Sequence, residues 1–582
     1  MARKQWINLE IAKLLRSVEA ALSLSKDGEN NAFRVAAYSK AADAIEHASS
    51  EVKDLWDDGK LEDLAGVGKT IGGYLDELFR LGKVRHWETI LNKYPEAMYE
   101  LLEISGIGPV TALKFCREYG ITRKHSAISK LEKIAKKEKL DKILSAITEY
   151  RNRTNRLLLD VAERLATEVI AWMEKCSSVT RIDALGSLRR QASTVGDLDF
   201  AVCTDKPKVV LEHFIKFKRA TRVIESGDIS ASIIISGGRE VDLMTSPAKS
   251  YGALLQHFTG SKFHNIKLRE IAMKKGYSLS EYGAVRNAPS DPPLESRGGR
   301  QGELLFNSEE KLYKFFGLDY IPPELREGGD EFEIKIPKLV ELADIKGDLQ
   351  MHSNFDIEPS HDLGQDSIEM LSAKCQLLGY EYIGITDHNP SVSGHTEQQI
   401  INLVKKRTEV IQSKDWGLKV FNGLEIDIQT DGQRALPDKA LELLDYACVS
   451  IHSSFHGSSK TQTERILRAL DHPKVKFLAH PTARLLQQRE GIEIDWDKLF
   501  DFCVRNQKWL EIDGWPNRLD LPDIQVREAV KHGVKIVVDT DAHNVEHLKF
   551  MKYGVSVARR GWCTKTDIIN TCDLTGILTY LT

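Results

Sequence analysis

Six short apolar runs in the C-terminal half end on His, Asp or Glu: DLQMHS, GITDHN, GLEID, SIHSSF, AHPT and DTDAH, in that order between Asp348 and His543. Short strands that carry their polar residues at the C-terminal end and alternate with helical stretches are the units of a barrel-like α/β domain. In such a fold the strand ends converge, so the site residues meet at one end. A single histidine after a strand is ordinarily structural, whereas six such segments in series predict a shared metal site. Neutral imidazole and carboxylate suit Zn²⁺ or Mn²⁺, and a bound ion would lower the pKa of water enough to attack phosphate. Eleven of the 17 histidines lie at or beyond residue 340, which sets this half chemically apart.

The chain has 582 residues, too many for one compact core, and three to four domains are expected. Hydrophobic residues make up 42% and charged residues 29%, the balance of soluble globular chains. No apolar run reaches a bilayer span, and Glu10 interrupts the place where a signal peptide needs an apolar core. The eight cysteines are scattered without a CxxC pair, which predicts reduced, mostly buried thiols in a cytoplasmic protein. A net charge of −4 argues against a simple polybasic binder, yet residues 101–150 hold 10 Lys/Arg against 6 Asp/Glu. The stretch Pro322–Lys338, with paired prolines, paired glycines and many charges, reads as a linker within 322–344.

The first 150 residues show helical apolar spacing, as in Ile7, Ile11, Leu14, Leu15, Val18 and Leu22. Within them LEDLAGVGKTIGGYLDEL (61–78) and LLEISGIGPVTALKFCREYGI (101–121) share a helix, a Gly-h-Gly turn and a second helix. Gly66 and Gly68, then Gly106 and Gly108, permit a tight turn with backbone amides exposed at a helix start. Such a turn can hold a DNA phosphate without reading sequence. One copy would be an ordinary αα-hairpin; two with the same flanking pattern favour nucleic acid.

Residues 180–285 shift to an α+β pattern with short β-branched runs. In DALGSLRRQASTVGDLDFAV (183–202), Asp197 and Asp199 stand two apart in a strand-like run and so share a face. Such a pair can hold two divalent ions for phosphoryl transfer, with Asp242 in EVDLM as a third ligand from an adjacent strand. Gly186 and Ser187 form a turn suited to a triphosphate, and Arg189 and Arg190 lie beside it to neutralise charge.

On these motifs residues 1–325 resemble a family X DNA polymerase, related to polymerase β. The resemblance implies that Asp197, Asp199 and Asp242 hold Mg²⁺ or Mn²⁺, while Gly186, Ser187 and Arg190 take the incoming triphosphate. HFTGSKFHN is similar to the family's YFTGS segment, which implies that Phe258, Gly260 and Asn265 line the nucleotide pocket. Arg269, Glu281 and Tyr282 would contact the template or the new pair, and Arg34 and Tyr38 a 5′-phosphate. Three places depart from the family pattern. His257 stands for the usual tyrosine beside the sugar, and Glu240 and Met244 flank Asp242 where basic residues are common. Tyr74 and Thr70 occupy the two lysine positions of the lyase site, with Lys69 one residue out of register, so no deoxyribose-phosphate lyase is expected.

The second half resembles a PHP (polymerase and histidinol phosphatase) domain, which the bacterial and archaeal branch of family X carries at its C-terminus. This implies that His352, His388, Glu425, His452, His480, Asp541 and His543 are ligands of a trinuclear cluster. The family's first histidine is here Gln350, and the acidic residue that follows reads Asp356, one position early; one metal is therefore expected to be weakly held or lost.

The expected architecture is multidomain: an 8 kDa-like helical domain (1–90), a second helix-hairpin-helix subdomain (91–150), a nucleotidyltransferase palm (151–255), a nucleotide-selection thumb (256–321), the linker, and a distorted βα-barrel PHP domain (345–575). The implied function is template-directed gap filling in DNA repair, with a PHP-dependent 3′–5′ exonuclease and apurinic-site nicking as a further family activity. The implied partners are gapped or primer-template DNA and dNTPs, with a monomer in the cytoplasm, associated with the nucleoid. Two other readings remain at this point: a PHP phosphoesterase with a DNA-binding N-terminal half, and a template-independent nucleotidyltransferase.

Overall fold

The computed structural model describes residues 6, 8–25, 30–46, 52–57, 67–104, 106–122, 127–154, 156–287, 303–455, 457–487, 489 and 491–581. The chain divides into two compact units, residues 1–155 with 234–240, and residues 156–233 with 241–582.

In the first unit the described residues between 8 and 154 are mostly helical and form two apolar cores. The 3.6-residue spacing places Ile11, Leu15, Val18 and Leu22 in the first core, with Leu75 and Trp87. Met98, Leu101, Leu113, Phe115, Ile128 and Leu131 belong to the second. Helices α1 (Lys69–Leu81) and α2 (Pro109–Glu118) begin at Gly68 and Gly108, whose backbone angles are nearly the same, −80°/168° and −81°/172°. Gly66 lies outside the described residues.

Strands β1 (Arg181–Ala184), β2 (Leu198–Cys203), β3 (Ala220–Ser226), β4 (Ser230–Ile235) and β5 (Arg239–Ser246), which apart from residues 234–240 belong to the second unit, form a sheet in the order β1-β2-β5-β4-β3. Strand β1 is antiparallel to β2, which runs parallel to β5. Between β1 and β2 lies the short helix α3 (Gly186–Arg189). Helices α4 (Tyr251–Thr259), α5 (Lys262–Lys274) and α6 (Glu309–Phe315) follow, and a core of Ala253, Leu268, Leu312, Tyr313 and Phe316 binds them.

The third part is a parallel barrel. Strands β6 (Gly347–Met351), β7 (Tyr382–Ile385) and β8 (Lys419–Asn422) form one sheet. The second is made of β9 (Glu425–Asp427), β10 (Ala447–Ser450), β11 (Val475–Leu478), β12 (Trp509–Asp513) and β13 (Lys535–Asp539). A bridge from Met351 to Ala542 joins the outer strands β6 and β13, and one from His388, just past β7, to Glu425 links the two sheets on the other side and closes the ring. Only Gly423 and Leu424 separate β8 from β9, which act as two halves of one strand and distort the barrel. All eight cysteines are free, and all but Cys572 are buried. Among the described residues no helix is long and apolar enough to cross a membrane.

The segment expected as a linker is instead folded into this unit. Leu325 and Leu339 join the core of α4, α5 and α6, and Arg326 is fully buried. The acidic residues that suggested solvated chain have partners far away in sequence. Arg559 pairs with Glu324 at 2.7 Å, Arg560 with Glu327 at 2.9 Å, Arg527 with Asp330 at 2.5 Å and His264 with Glu331 at 2.9 Å. Charge density alone cannot distinguish a solvated run from one neutralised by a later helix.

Candidate functional site: two carboxylate and histidine centres

In the five-stranded sheet, β2 and β5 are in register so that Asp199 lies directly opposite Asp242. Asp197 precedes β2 by one residue on a more exposed turn. Burial raises the pKa of Asp242; the Ser232 hydroxyl opposes this by donating to Asp242 Oδ1, and the nearby Asp197 charge adds to it. Asp199 and Asp242 on adjacent strands, with the Asp197 charge adding to the cost of ionising Asp242, form a place where divalent cations lower the energy.

Gly186 begins the turn beside them with φ +57°, and a Cβ there would lie 2.5 Å from Asp199 Oδ2. Only glycine fits both the backbone and the carboxylate. Gly186→Ala should therefore displace Asp199 and cut the rate of nucleotide addition by about a hundredfold, measured as single-turnover primer extension. Ser187 stands next on the same turn, half-buried.

The two arginines that follow have different fates. Arg189 makes paired bonds to Glu309 at 2.6 and 3.0 Å and another to Thr259 Oγ1 at 2.5 Å. Glu309 in turn accepts from the buried Arg326 at 2.5 Å. Arg189 thus belongs to a buried brace between α3 and α6 and is withdrawn from the place expected for a triphosphate. Glu309→Gln leaves two guanidinium groups short of a counter-charge, with an expected loss of about 3–5 kcal/mol of stability on thermal or urea unfolding.

Arg190 reaches the Thr259–Gly260 turn, where it donates to Thr259 O at 2.7 Å. The turn is tight: Gly260 has φ +65°, and a Cβ there would sit 3.3 Å from Arg190 Nη1. Next to it, Asn265 donates to His257 O at 2.6 Å and accepts from Gln256 at 2.8 Å. Burial lowers the pKa of His257 to about 4, with Glu281 and Arg269 pulling in opposite directions. The residues expected around a nucleotide, Arg190, Phe258, Gly260 and Asn265, and those expected at the base pair, Arg269 and Glu281, are therefore neighbours. Tyr282 adjoins Glu281, and burial raises its pKa.

Both hairpin turns leave open space around Gly68, Gly106 and Gly108. Neither Gly68 nor Gly108 has a side chain to cap its helix, so the first amides of α1 and α2 lack that partner. Arg34 is exposed and bonded to His86 at 3.3 Å. Tyr38, expected beside it at a 5′-phosphate, is 4% exposed and its hydroxyl accepts from Trp87 at 3.0 Å. It is a core residue, and only Arg34 stays available. Tyr74 stacks on His86 with ring centroids 4.9 Å apart.

The second centre lies at one end of the barrel, around a cavity of about 350 Å³. Glu425 is its hub. One carboxylate oxygen is 2.9 Å from His480 Nε2 and 3.4 Å from His452 Nε2; the other is 3.4 Å from both His352 Nε2 and His388 Nδ1. Burial alone would raise its pKa, but the surrounding imidazoles hold it well below the usual carboxylate range. His352 Nε2 also lies 2.9 Å from Asp541 Oδ1. Yet His352 Nε2, His388 Nδ1, Glu425 Oε2 and Asp541 Oδ1 are buried atoms that make no hydrogen bond. Close approach without alignment means that these atoms face a shared point, as ligands of a cation do. The donor set therefore fits a divalent metal.

Three further residues join this set. Asp362 lies 3.7 Å from His388 Nε2 and 3.4 Å from His543 Nε2, and His361 and His452 both touch Asp427 Oδ1, at 3.0 and 2.7 Å. The described residues form four tight donor groups, all of them here, including His352–His388–His543 and His361–Asp427–His452. Asp356 is not among them: it is exposed and accepts from the Glu358 amide at 2.9 Å. Asp362, six residues later, is the acidic side chain of the connection after β6 that approaches His388 and His543. Gln350 is fully buried, with its amide nitrogen unpartnered and its carbonyl oxygen 3.8 Å from Cys448 Sγ. Phe455, Leu485 and Trp515 line one wall of the cavity, and Arg489 and Arg518 add positive charge.

Three family models match: "DNA polymerase beta thumb" at residues 254–327, "Helix-hairpin-helix domain" at 7–84 and "PHP domain" at 348–513. The deciding likeness is to "DNA polymerase/3'-5' exonuclease PolX" of Bacillus subtilis (strain 168), 33% identical over 98% of this chain and 99% of that protein. The chain belongs to the family X DNA polymerases with a C-terminal PHP domain. Two other family X relatives match shorter parts. "DNA polymerase lambda" of Arabidopsis thaliana is 26% identical over 50% of this chain and 57% of its own length. "Repair DNA polymerase X" of African swine fever virus (isolate Warthog/Namibia/Wart80/1980) is 28% identical over 29% of this chain and 95% of its own. Membership in this family accounts for two metal-suited centres in one chain.

Proposed function

We propose that the protein is a template-directed DNA polymerase that fills short gaps during repair, and that its barrel removes nucleotides from 3′ ends. The observation that carries the first part is the register of Asp199 against Asp242, with Asp197 beside them and the Gly186 turn touching Asp199. Mg²⁺ or Mn²⁺ held by these carboxylates would supply charge neutralisation at the α-phosphate and a more acidic primer 3′-hydroxyl. The chain's own groups do the rest. Asp242, whose burial favours its protonated form, is placed to accept or relay that hydroxyl's proton. Gly186, Ser187 and Arg190 bind the triphosphate, while Phe258, Gly260 and Asn265 border its sugar and base. Arg269, Glu281 and Tyr282 face the template side. The backbone amides at Gly68 and Gly108 hold DNA phosphates, which suits a substrate recognised by shape rather than sequence.

In the barrel, Zn²⁺ or Mn²⁺ would supply an activated water for phosphodiester cleavage. His352, His388, Glu425, His452, His480, Asp541 and His543, with Asp362, are the proposed ligands. Arg489 and Arg518 would orient the scissile phosphate, and Trp515 offers a face on which a terminal base can stack. The name of the Bacillus relative joins the same two activities. Asp362 supplies the acidic ligand missing at 356, so Gln350 weakens one corner of the cluster only. The protein acts as a monomer in the cytoplasm, on nucleoid DNA.

The test uses a 5′-labelled primer on a one-nucleotide gap with Mn²⁺, with and without dNTPs. Extension by one nucleotide, and shortening when dNTPs are omitted, are expected. Equal extension without any template strand would replace this reading by template-independent transfer.

A further inference from the structure

The last long helix of the barrel domain, α7 (Met551–Arg560), lies against the palm and the strap that follows the thumb. Arg560 is the point of contact. Its Nε and Nη2 hold Asp523 Oδ2 at 2.7 and 2.6 Å, which fixes the guanidinium within the barrel domain. Its Nη1 donates to Arg190 O at 2.9 Å and to Glu327 Oε1 at 2.9 Å. Glu327 Oε1 also accepts from Arg190 Nε at 3.1 Å. One carboxylate oxygen is thus shared by two guanidinium groups, one from the barrel and one from the proposed triphosphate site. Next to it, Ser556 donates to Gln191 at 3.1 Å.

We infer that Arg560 is a positioning residue for nucleotide binding: it holds Glu327 so that Arg190 is oriented but not neutralised. This rests on the reading of Arg190 as a triphosphate ligand. The electrostatic argument has a definite sign. A carboxylate bonded to Arg190 alone competes with the incoming triphosphate for the same cation. A second guanidinium on the same oxygen spreads that negative charge and weakens the competition, while the bond to Arg190 O fixes the turn from the backbone side. Arg560 keeps its own counter-ion in Asp523, so Glu327 can shift without leaving a buried charge unpaired. The barrel domain thereby helps to form the polymerase centre through a residue remote from its own metal-suited cavity.

Arg560→Ala, Glu327→Gln, the double variant, Arg560→Lys and Arg190→Ala are compared on a one-nucleotide gap by kcat and dNTP KM, with thermal unfolding and primer shortening measured in parallel. Arg560→Ala should raise the dNTP KM about fivefold with kcat little changed, the size of one partly exposed charge contact. Arg560→Lys should restore part of it. The double variant should recover most but not all of the rise in KM, because the competing carboxylate is gone while the bond to Arg190 O stays lost. If Arg560→Ala leaves KM unchanged while Arg190→Ala raises it, the relay is wrong and the Arg190 reading stands. If the double variant keeps the high KM, loss of docking or of local field explains the effect and the relay falls. If Arg190→Ala itself leaves KM unchanged, both the triphosphate reading and the relay fall.

Discussion

Asp199→Ala should reduce nucleotide addition by roughly a thousandfold or more while leaving primer shortening intact. Asp199 is the residue on which the palm's geometry converges. It sits opposite Asp242 across two parallel strands, its backbone carbonyl accepts from Leu185 N at 2.8 Å, and its carboxylate fills the space that glycine leaves at 186. Alanine keeps the strand and removes both oxygens, so the sheet survives and the cation-binding edge is lost. Gapped-primer extension, followed in single turnover with saturating dNTP and Mn²⁺, measures this directly. Retained extension would mean that the carboxylates serve the fold and that the polymerase centre lies elsewhere. Parallel shortening of the same primer without dNTPs is the control: it should match the unmutated protein, because that reaction belongs to the barrel.

Residues that follow a local rule were legible in the sequence, and those set by distant pairing were not. The two-residue spacing set Asp197 close to Asp199, although Asp197 falls one residue before β2 on a turn, and the run of strand-terminal His, Asp and Glu residues brought the seven expected ligands to one end of the barrel. The same two-residue rule would have found Asp427 beside Glu425 in GLEID, because both project to one face of β9. Asp362 had no such signal. It lies in the long connection after β6, and only the closed barrel brings it to His388 and His543. Arg189 and Arg190 were indistinguishable as a pair of adjacent basic residues. Their roles divide because one faces Glu309, 120 residues later, and the other faces Glu327. The strap at 322–344 was misread for a related reason: its acidic residues look solvated until helices from the barrel supply their counter-charges. Tyr38 shows the limit of transferring a role by position, since its ring and hydroxyl complete the core with Trp87.

Glu425→Gln should empty the barrel of most of its metal and reduce primer shortening by roughly a thousandfold or more, with gap filling little affected. Glu425 is the carboxylate around which four imidazoles gather. Its two oxygens approach His352, His388, His452 and His480, so it joins the two sides of the cavity that a multinuclear cluster would need bridged. The substitution keeps the shape and removes the negative charge, and one oxygen becomes an amide nitrogen that cannot ligate a cation. His352 and Asp541 remain close on one side and His452 and His480 on the other, but neither pair holds a full ligand set. Metal content per chain, measured by elemental analysis after gel filtration, gives a readout independent of activity. Gln350→His gives the opposite expectation, because an imidazole at this buried position would add a donor beside His352, and metal content should rise. If Glu425→Gln retained both its metal and its shortening activity, the cluster would not be centred on Glu425. If shortening persisted after the metal was lost, cleavage would have to come from outside the barrel, and the division of labour between the two centres would be wrong.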